Sequence, residues 1–278
     1  MIDHSFRVRI MSPAEVELAV DWAAAEGWNP GFSDARCFAA AAPEAFLLGE
    51  FAGAPAAPVL NYTERFSFLG FYIVRPDLRG RGFGLRIWQA GITRAGSRTI
   101  GLDGVVAQQH NYRKSGFVFA YKNTRYGGWV PSLHAAPNTI SLKGIPLDVI
   151  ASDDAAVFPA ARPVFLRNWI AAPGHIGRAL IRDGRLAAWG VIRPCRKGRK
   201  IGPLIADDPV AAEAVFAALV DGVAGEVFLD VPQPNSAAAA LTGAHGLAPV
   251  FETARMYSGP IGPVALERVY GVTTFELG

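Results

Sequence analysis

A run in which glycines alternate with other residues stands directly before a predicted helix, and it is the stretch best suited to chemistry. Residues 79–84 read Arg-Gly-Arg-Gly-Phe-Gly, and apolar residues then recur at helical spacing from Leu85 to Ala95. Glycines at a helix start leave backbone N–H groups accessible, and the positive end of the helix dipole adds to them. Arg79 and Arg81 supply cationic donors. The pattern therefore predicts a site for a phosphate or pyrophosphate group.

The spacing of this loop distinguishes between phosphate ligands. A nucleoside-triphosphate loop requires Lys followed by Ser or Thr after its last glycine, whereas Leu85-Arg86 stands here, and the glycines do not fit a dinucleotide-binding turn. The pattern Arg79-x-x-Gly82-x-Gly84 resembles the acetyl-CoA pyrophosphate loop of the GNAT acetyltransferase superfamily. The alternative interpretation is a surface turn rich in glycine and arginine.

A second segment resembles the same superfamily. Tyr112 opens the sequence Tyr-Arg-Lys-Ser-Gly-Phe, which is similar to the family's Tyr-x-Lys-x-Gly-Phe segment. The resemblance implies that Tyr112 points at the cofactor sulfur and protonates the departing thiolate. Many members carry asparagine seven residues before this tyrosine, where this chain has Val105. We therefore expect the pantetheine arm to be held with help from Asn111 or Gln109. The resemblance extends over residues 7–126.

Composition narrows the class of protein. The chain has 278 residues, of which 51% are hydrophobic and 18% charged, as is typical of a folded protein with a substantial core. No apolar run approaches the roughly 18–20 residues that a membrane helix needs, and no signal peptide is visible. Cys37 and Cys195 are far apart and are expected to be reduced thiols. A net charge of +3 is too small to indicate nucleic-acid binding. We expect a cytoplasmic protein without metal, membrane or nucleic-acid partners, whose oligomeric state the sequence leaves open.

Strand patterns precede the glycine loop. Apolar residues 69–74 predict a buried strand, and residues 45–50 and 58–64 predict two strands before it. The later part of the chain repeats this organisation weakly, since Gly-Leu-Asp at residues 101–103 returns as Phe-Leu-Asp at residues 228–230. With the resemblance, this predicts an α/β (α+β) chain of two tandem GNAT-like folds, each a mixed, mostly antiparallel sheet flanked by helices.

The two halves are expected to differ in function. We predict a catalytic domain at residues 1–135 and a degenerate GNAT-like domain at residues 136–278 that completes the acceptor site. Where the first half has its glycine loop, the second has Ala206-Asp207-Asp208-Pro209. Two carboxylates at a helix N-terminus repel a pyrophosphate, and proline removes an amide donor. We therefore expect one acetyl-CoA per chain, in the N-terminal domain. This layout resembles the YitH-like subgroup of GNAT proteins.

Acyl transfer from a thioester requires an oxyanion donor, a neutral amine and an acid. The resemblance implies that a backbone N–H of Ile73 or Val74 is the oxyanion donor and that Tyr112 is the acid. The base stays open, because the central strand carries no ionisable group except Tyr72. Glu64, Asp103 and His110 are nearby in the sequence, and of these Glu64 is kept as a weak candidate. A water chain to bulk solvent is the alternative. The expected cofactor-binding residues are Ile73, Val74, Arg79, Gly80, Arg81, Gly82, Phe83, Gly84, Asn111 and Tyr112.

The acceptor site is predicted from two regions. In the GNAT fold the loop between the first two helices overlies the acceptor, and carboxylates of the second half could hold an amine in a cleft between the halves. The candidates for substrate binding are Trp28, Asp34, Asp153, Asp230 and Glu252. The alternatives are a hydrophobic plug for Trp28 and a helix cap for Asp34. A basic cluster, residues 193–200, is interpreted as a solvated turn or as a site for an anionic group of the substrate or of CoA.

The function expected from this resemblance is acetyl-CoA-dependent N-acetylation of the primary amine of a small molecule by direct transfer. Two alternatives stay open. One is a non-catalytic sensor or partner module that binds acyl-CoA without turnover, and the missing base favours it. The other is a protein N-acetyltransferase.

Overall fold

The two halves of the chain contain the same elements in the same order. The computed structural model describes residues 6–62, 66–135, 138–223 and 225–278. The first half comprises β1 (Phe6–Ile10), α1 (Val16–Ala25), α2 (Asp34–Ala41), β2 (Phe46–Phe51), β3 (Ala54–Tyr62), β4 (Phe66–Gly70), α3 (Phe83–Ala95), β5 (Thr99–Val105), α4 (Gln109–Lys114) and β6 (Val118–Val130). The second half comprises β7 (Thr139–Ser141), α5 (Leu147–Ala155), α6 (Pro163–Ala171), β8 (Ile176–Arg182), β9 (Arg185–Pro194), β10 (Arg199–Ala206), α7 (Pro209–Val220), β11 (Gly225–Pro232), α8 (Ser236–Ala244), β12 (Ala248–Tyr257) and β13 (Val269–Gly271). In these described ranges only β13 lacks a counterpart in the other half. None of the helices in the same ranges is long and apolar enough to cross a bilayer.

One continuous sheet runs through both halves in the order β1-β2-β3-β4-β5-β12-β6-β11-β10-β9-β8-β7, and β13 pairs with β10 beside it. The pairs β4–β5 and β10–β11 are parallel, and the others are antiparallel. The last long strand of each half crosses over, because β12 lies between β5 and β6, and β6 lies between β12 and β11. The mixed, mostly antiparallel sheets flanked by helices are therefore confirmed. The division between residues 135 and 136 stays a prediction.

Strand β4 ends earlier than the apolar pattern at residues 69–74 predicts. It stops at Gly70, and Phe71 has a φ of +52°, a left-handed conformation that bulky residues seldom adopt. The side chain of Phe71 is buried, and its ring centroid lies 5.7 Å from those of Phe38 and Phe46. This packing stabilises the turn of the backbone, so the chain leaves the sheet beyond β4 instead of continuing as a strand.

A hydrophobic core shared by both halves lies around α1, α2, α5 and α6. Phe38 of α2 stacks on Trp169 of α6 with ring centroids 6.1 Å apart, and the guanidinium of Arg193 lies 4.5 Å from the centre of the Trp169 ring. Asp34 of α2 accepts a hydrogen bond from Nε of Arg193 on β9 at 3.0 Å. Separate clusters surround α3 and α7. Hydrophobic packing and ion pairs therefore hold the two halves together, in addition to the crossing over of β6 and β12 in the sheet.

Candidate active site

A cavity opens where the two parallel strands of the first half separate. The ladder between β4 and β5 ends at the pair Phe68 and Gly101, and the left-handed turn at Phe71 follows. The cavity beyond this point has a volume of about 480 Å³. Residues 69–74 form one part of its lining and residues 102–105 another. The opening is therefore a direct consequence of the early end of β4.

The glycine-rich loop lines this cavity at the N-terminus of α3. Gly80 and Gly82 have φ values of +75° and +82°, which favour glycine, and open space surrounds the Cα atoms of both. Gly82 is the residue before the first turn of α3, and no side chain caps the helix there. The N–H groups of the first turn are therefore available to a ligand. The loop fits a pyrophosphate group held by backbone donors.

Neighbouring backbone and side-chain groups contact the two arginines of the loop. Nε of Arg79 donates to the carbonyl oxygen of Val74 at 2.9 Å, and its terminal nitrogen forms an ion pair with Glu26. The guanidinium of Arg81 lies 5.1 Å from the ring centre of Phe83, which is itself buried in the core. Arg79 thus braces the loop against the stretch that follows β4. Arg81 remains exposed beside it.

Tyr112 lies on α4 and lines the same cavity. Its ring stacks on Trp88 with centroids 5.3 Å apart, and the indole N–H of Trp88 donates to Oγ of Ser115 at 3.0 Å. A Cβ atom at Gly104 would overlap the Tyr112 ring, so this glycine makes room for the tyrosine. Burial raises the pKa of Tyr112 above its ordinary value. The hydroxyl is therefore protonated at neutral pH and is able to donate a proton.

The predicted oxyanion donors lie on the wall of the cavity. Ile73 and Val74 follow the end of β4, outside the strand, and both line the cavity. Because they lie beyond the ladder, their N–H groups are not engaged in strand pairing. This position fits a backbone donor to a thioester carbonyl.

A groove beside α3 and α4 continues the cavity. Its volume is about 880 Å³. It shares five wall residues with the cavity, namely Tyr72, Leu85, Trp88, Gln108 and Tyr112. Asn111, predicted to help hold the cofactor, lines this groove, and its amide donates to the Oε1 atom of Gln108 at 2.7 Å. The loop, Tyr112 and Asn111 thus border one connected space.

The remaining walls come from other parts of the chain. Trp28 follows α1, Phe251 and Thr253 lie on β12, and Phe275 and Glu276 belong to the last residues of the chain. Strand β12 and this C-terminal segment both belong to the second half. The second half therefore contributes wall residues to a cavity whose glycine loop belongs to the first.

Comparisons with known proteins identify this arrangement. Residues 150–271 match the family model described as an acetyltransferase (GNAT) domain. A protein of Pseudoalteromonas sp. (strain SANK 73390), named holothin acyltransferase, is 29% identical over 270 residues, which cover 95% of this chain and 92% of that protein. The chain contains a GNAT acetyltransferase domain, and its similarity to an acyltransferase along most of its length supports an acyltransferase enzyme.

Solved structures show that the fold of this GNAT acyltransferase is shared along the whole chain. A Pyrococcus horikoshii protein with an acetyltransferase designation has a TM-score of 0.85 at 20% identity, covering 100% of this chain and 98% of that chain. A tandem GNAT protein from the clavulanic acid biosynthesis pathway has a TM-score of 0.62 at 14% identity, covering 92% and 100%. Two GNAT folds in one chain are therefore a shared architecture.

Four carboxylates predicted to bind substrate are not among the residues that line the cavity of this GNAT acyltransferase. Asp34 and Asp230 are buried, Asp153 on α5 is half-buried, and Glu252 is exposed. Each forms an ion pair with a cation: Asp34 with Arg193 at 3.0 Å, Asp230 with Arg125 at 2.6 Å, Asp153 with Arg268 at 2.7 Å and Glu252 with Lys122 at 3.0 Å. Of the predicted substrate residues, the fold brings only Trp28 to the cavity wall. The weak base candidate Glu64 lies outside the described residues.

The fold divides the basic cluster of residues 193–200. Its end residues, Arg193 on β9 and Lys200 on β10, are buried, whereas Arg196 and Lys197 in the turn are exposed. The interpretation of the whole cluster as a solvated turn is therefore wrong at its two ends. The reason is the pairing of β9 with β10, which carries both end residues into the interior.

Sequence reasoning missed the wall residues Phe251, Thr253, Phe275 and Glu276. No motif marks them, because strand exchange and the path of the C-terminal segment bring them to the cavity. One weak signal was available for Glu276. It stands as a lone carboxylate in residues 272–277, Val-Thr-Thr-Phe-Glu-Leu, and such surroundings indicate a buried segment.

Proposed function

We propose that this GNAT acyltransferase transfers the acyl group of acyl-CoA, acetyl-CoA in the simplest case, to the primary amine of a small molecule. The observation that carries the proposal is a single cavity lined by the glycine loop, by Tyr112 and by aromatic side chains of both halves. One acyl-CoA binds per chain, at the loop of the first half. In this proposal residues 1–135 supply the donor site, and residues 136–278 complete the acceptor site.

The residues present fit acyl-CoA. The backbone donors at Gly82 and in the first turn of α3 suit its pyrophosphate, and the groove beside α3 and α4 suits its extended arm. When bound, the cofactor supplies a thioester, which is an activated acyl group. A backbone N–H of Ile73 or Val74 polarises the thioester carbonyl.

The chain contributes an acid to the transfer. The amine nitrogen forms a bond to the carbonyl carbon, and the bond from that carbon to sulfur breaks. Tyr112 gives its proton to the departing sulfur, and its burial keeps that proton in place until then. The nitrogen loses a proton that restores Tyr112, so the hydroxyl is regenerated for the next cycle.

The cavity walls favour a small and largely apolar amine. Trp28, Phe251 and Phe275 present aromatic surface, and apolar side chains make up most of the remaining lining. A cavity of about 480 Å³ suits a small molecule better than a polypeptide. The Pseudoalteromonas relative carries holothin in its name, so holothin is one compound to test as an acceptor.

The test measures thiol release from acetyl-CoA over a panel of alkylamines, arylamines, amino acids, aminosugars, peptides and holothin, with mass-spectrometric detection of the acylated product. We expect at least one small apolar amine to give product at a rate above that of hydrolysis. Peptide acylation without small-molecule acylation would contradict the acceptor class. Binding of acetyl-CoA without any product would instead favour a sensor.

A further inference from the structure

The C-terminal segment that follows β13 passes from the second half into the first and ends beside the cavity. A Cβ atom at Gly70, the last residue of β4, would overlap the carbonyl oxygen of Glu276, so the segment lies directly against the end of that strand. The N–H of Leu277 donates to Oγ1 of Thr274, and the N–H of Gly278 donates to the carbonyl oxygen of Thr274, both at 2.9 Å. This turn holds Glu276 in a defined position.

The end of the segment is anchored as well. Arg162 donates to the carbonyl oxygen of Gly278 at 2.9 Å and to Oγ1 of Thr273 at 2.8 Å. The same guanidinium binds both carboxylate oxygens of Asp154 at 2.8 and 2.9 Å. A buried ion pair therefore fixes the segment on both sides of Glu276, so the fold itself holds this residue at the cavity wall.

The carboxylate of Glu276 differs from the other buried carboxylates. The residue is only 2% exposed and belongs to the cavity lining, yet neither of its carboxylate oxygens has a hydrogen-bond partner among the described residues. Asp103, by contrast, binds Arg255 at 2.7 Å through each oxygen, and Asp230 binds Arg125 at 2.6 and 2.8 Å. A buried carboxylate without partners is costly. Its position on a cavity wall is explained if a ligand supplies the missing hydrogen bonds.

Several charged groups surround Glu276. Lys200 of β10, Arg125 of β6 and Arg193 of β9 favour its ionised form, whereas Asp34 of α2 opposes it. Burial has the largest effect and raises the pKa of Glu276 above the ordinary value of a glutamate. The cavity wall also carries the titratable side chains of Glu26, Tyr72, Asp103 and Tyr112. A carboxylate with a raised pKa is a better proton acceptor than an exposed one.

We propose that Glu276 is the general base of the reaction and that the second half delivers it to the active site of the first. The proposal rests on the function proposed above. The Glu276 carboxylate accepts a hydrogen bond and then a proton from the ammonium group of the acceptor, which becomes a neutral amine. That amine bonds to the acyl carbon as the bond to sulfur breaks. Of the two protons that the nitrogen loses, one leaves through Glu276 to solvent, and the other replaces the proton that Tyr112 gives to the thiol.

The test replaces the carboxylate by an amide of the same shape, Glu276→Gln. For a strongly basic alkylamine at neutral pH, we expect kcat to fall by about 10²–10³-fold, with acyl-CoA affinity within about threefold of wild type. The wild-type rate should rise with pH through the raised pKa of Glu276, and this acid limb should be absent in the variant. For a weakly basic arylamine, which is already neutral, the loss should shrink to about tenfold or less.

Two further variants separate base catalysis from a structural role. Glu267→Gln makes the same chemical change at an exposed position nine residues earlier and should leave every rate within about twofold of wild type. Glu276→Asp keeps a carboxylate and should keep the acid limb, with kcat reduced by about tenfold, and it decides the question if Glu276→Gln does not fold. Wild-type turnover by Glu276→Gln, or an equal loss for both classes of amine with an unchanged pH profile, would overturn the proposal. Absence of product with wild type and variants alike would refute the proposed function itself.

Discussion

The turns after β4 and β10 occupy equivalent places in the two halves but have opposite character. After β4, Gly80 and Gly82 leave the first turn of α3 without a side-chain cap. After β10, Asp208 caps α7 by accepting from the N–H of Ala211 at 2.9 Å and forms an ion pair with Arg182 at 2.6 Å. The N-terminus of α7 is thus satisfied by the protein itself, with negative charge where a phosphate would bind. The two equivalent helix starts therefore differ: that of α3 leaves its backbone donors without a side-chain cap, and that of α7 is capped by the protein.

The clefts beside these turns differ in the same way. In the second half β13 pairs with β10, and a Cβ atom at Gly202 would overlap the carbonyl oxygen of Thr273. The N–H of Val272 donates to the carbonyl oxygen of Asp230 on β11 at 2.8 Å. The C-terminal segment thus fills the space that corresponds to the cavity between β4 and β5. The segment that closes one cleft continues into the other and lines it.

The largest expected contrast lies at Tyr112 and its counterpart Thr242. The N–H of Phe117 donates to the carbonyl oxygen of Tyr112 at 3.2 Å, and the N–H of Leu247 donates to that of Thr242 at 3.0 Å, so the two residues hold equivalent places. Tyr112→Phe should lower kcat about 10²–10⁴-fold with little change in acyl-CoA affinity, because only the donated proton is lost. Thr242→Val should stay within about twofold of wild type. Steady-state thiol release measures both, and equal rates in the two variants would remove the contrast.

A smaller effect, on acyl-CoA affinity, should follow when the turn after β4 is given a negative charge like that of the turn after β10. Gly82→Asp places a carboxylate at the N-terminus of α3 and should weaken acyl-CoA binding about 10²-fold through repulsion of the pyrophosphate. Gly222→Asp is the matched control, since Gly222 also has a positive φ (+72°) and open space around it. Calorimetric titration should give one equivalent per wild-type chain and an unchanged affinity for the control. Two equivalents would show that the second half also binds the cofactor.

The smallest effect concerns stability. His175 packs against Trp169 with ring centroids 4.8 Å apart, and burial together with the nearby Arg193 lowers its pKa to about 4 from an ordinary 6.5. The histidine is neutral when folded, so its contribution is present above pH 6.5 and is lost as the pH falls toward 4. Between pH 7 and pH 5 this amounts to about 2 kcal/mol of unfolding free energy.

The test for this residue is His175→Phe, which keeps an aromatic ring against Trp169. Urea unfolding measures how much the unfolding free energy falls between pH 7 and pH 5. We expect this fall to be about 2 kcal/mol smaller in the variant than in the wild type. The value of kcat at pH 7 should be unchanged, because His175 is not among the cavity residues. An identical pH dependence in both proteins would show that His175 does not set it.

Local spacing made part of the fold and site predictable. The glycine loop, the helix after it and the segment that begins at Tyr112 were recognisable because each depends on residues close together in the chain. The end of β4 was not predictable, since it depends on the packing of Phe71 with Phe38 and Phe46. The carboxylates chosen for the acceptor site show the same limit. Asp34 and Asp230 are charged residues near the expected region, but the fold pairs each with an arginine.

The sequence by itself determined that glycines precede the start of α3, whereas two carboxylates and a proline stand at the equivalent point of the second half. The prediction of a donor site in the first half depends on this local difference. The tertiary structure alone decided the acceptor side. Strand exchange brings Phe251 to the cavity, and the C-terminal segment brings Glu276 there from 164 residues beyond Tyr112 (276 − 112). Which carboxylate stays unpaired depends on where every arginine and lysine of the buried network lies, and contacts between distant residues determine those positions.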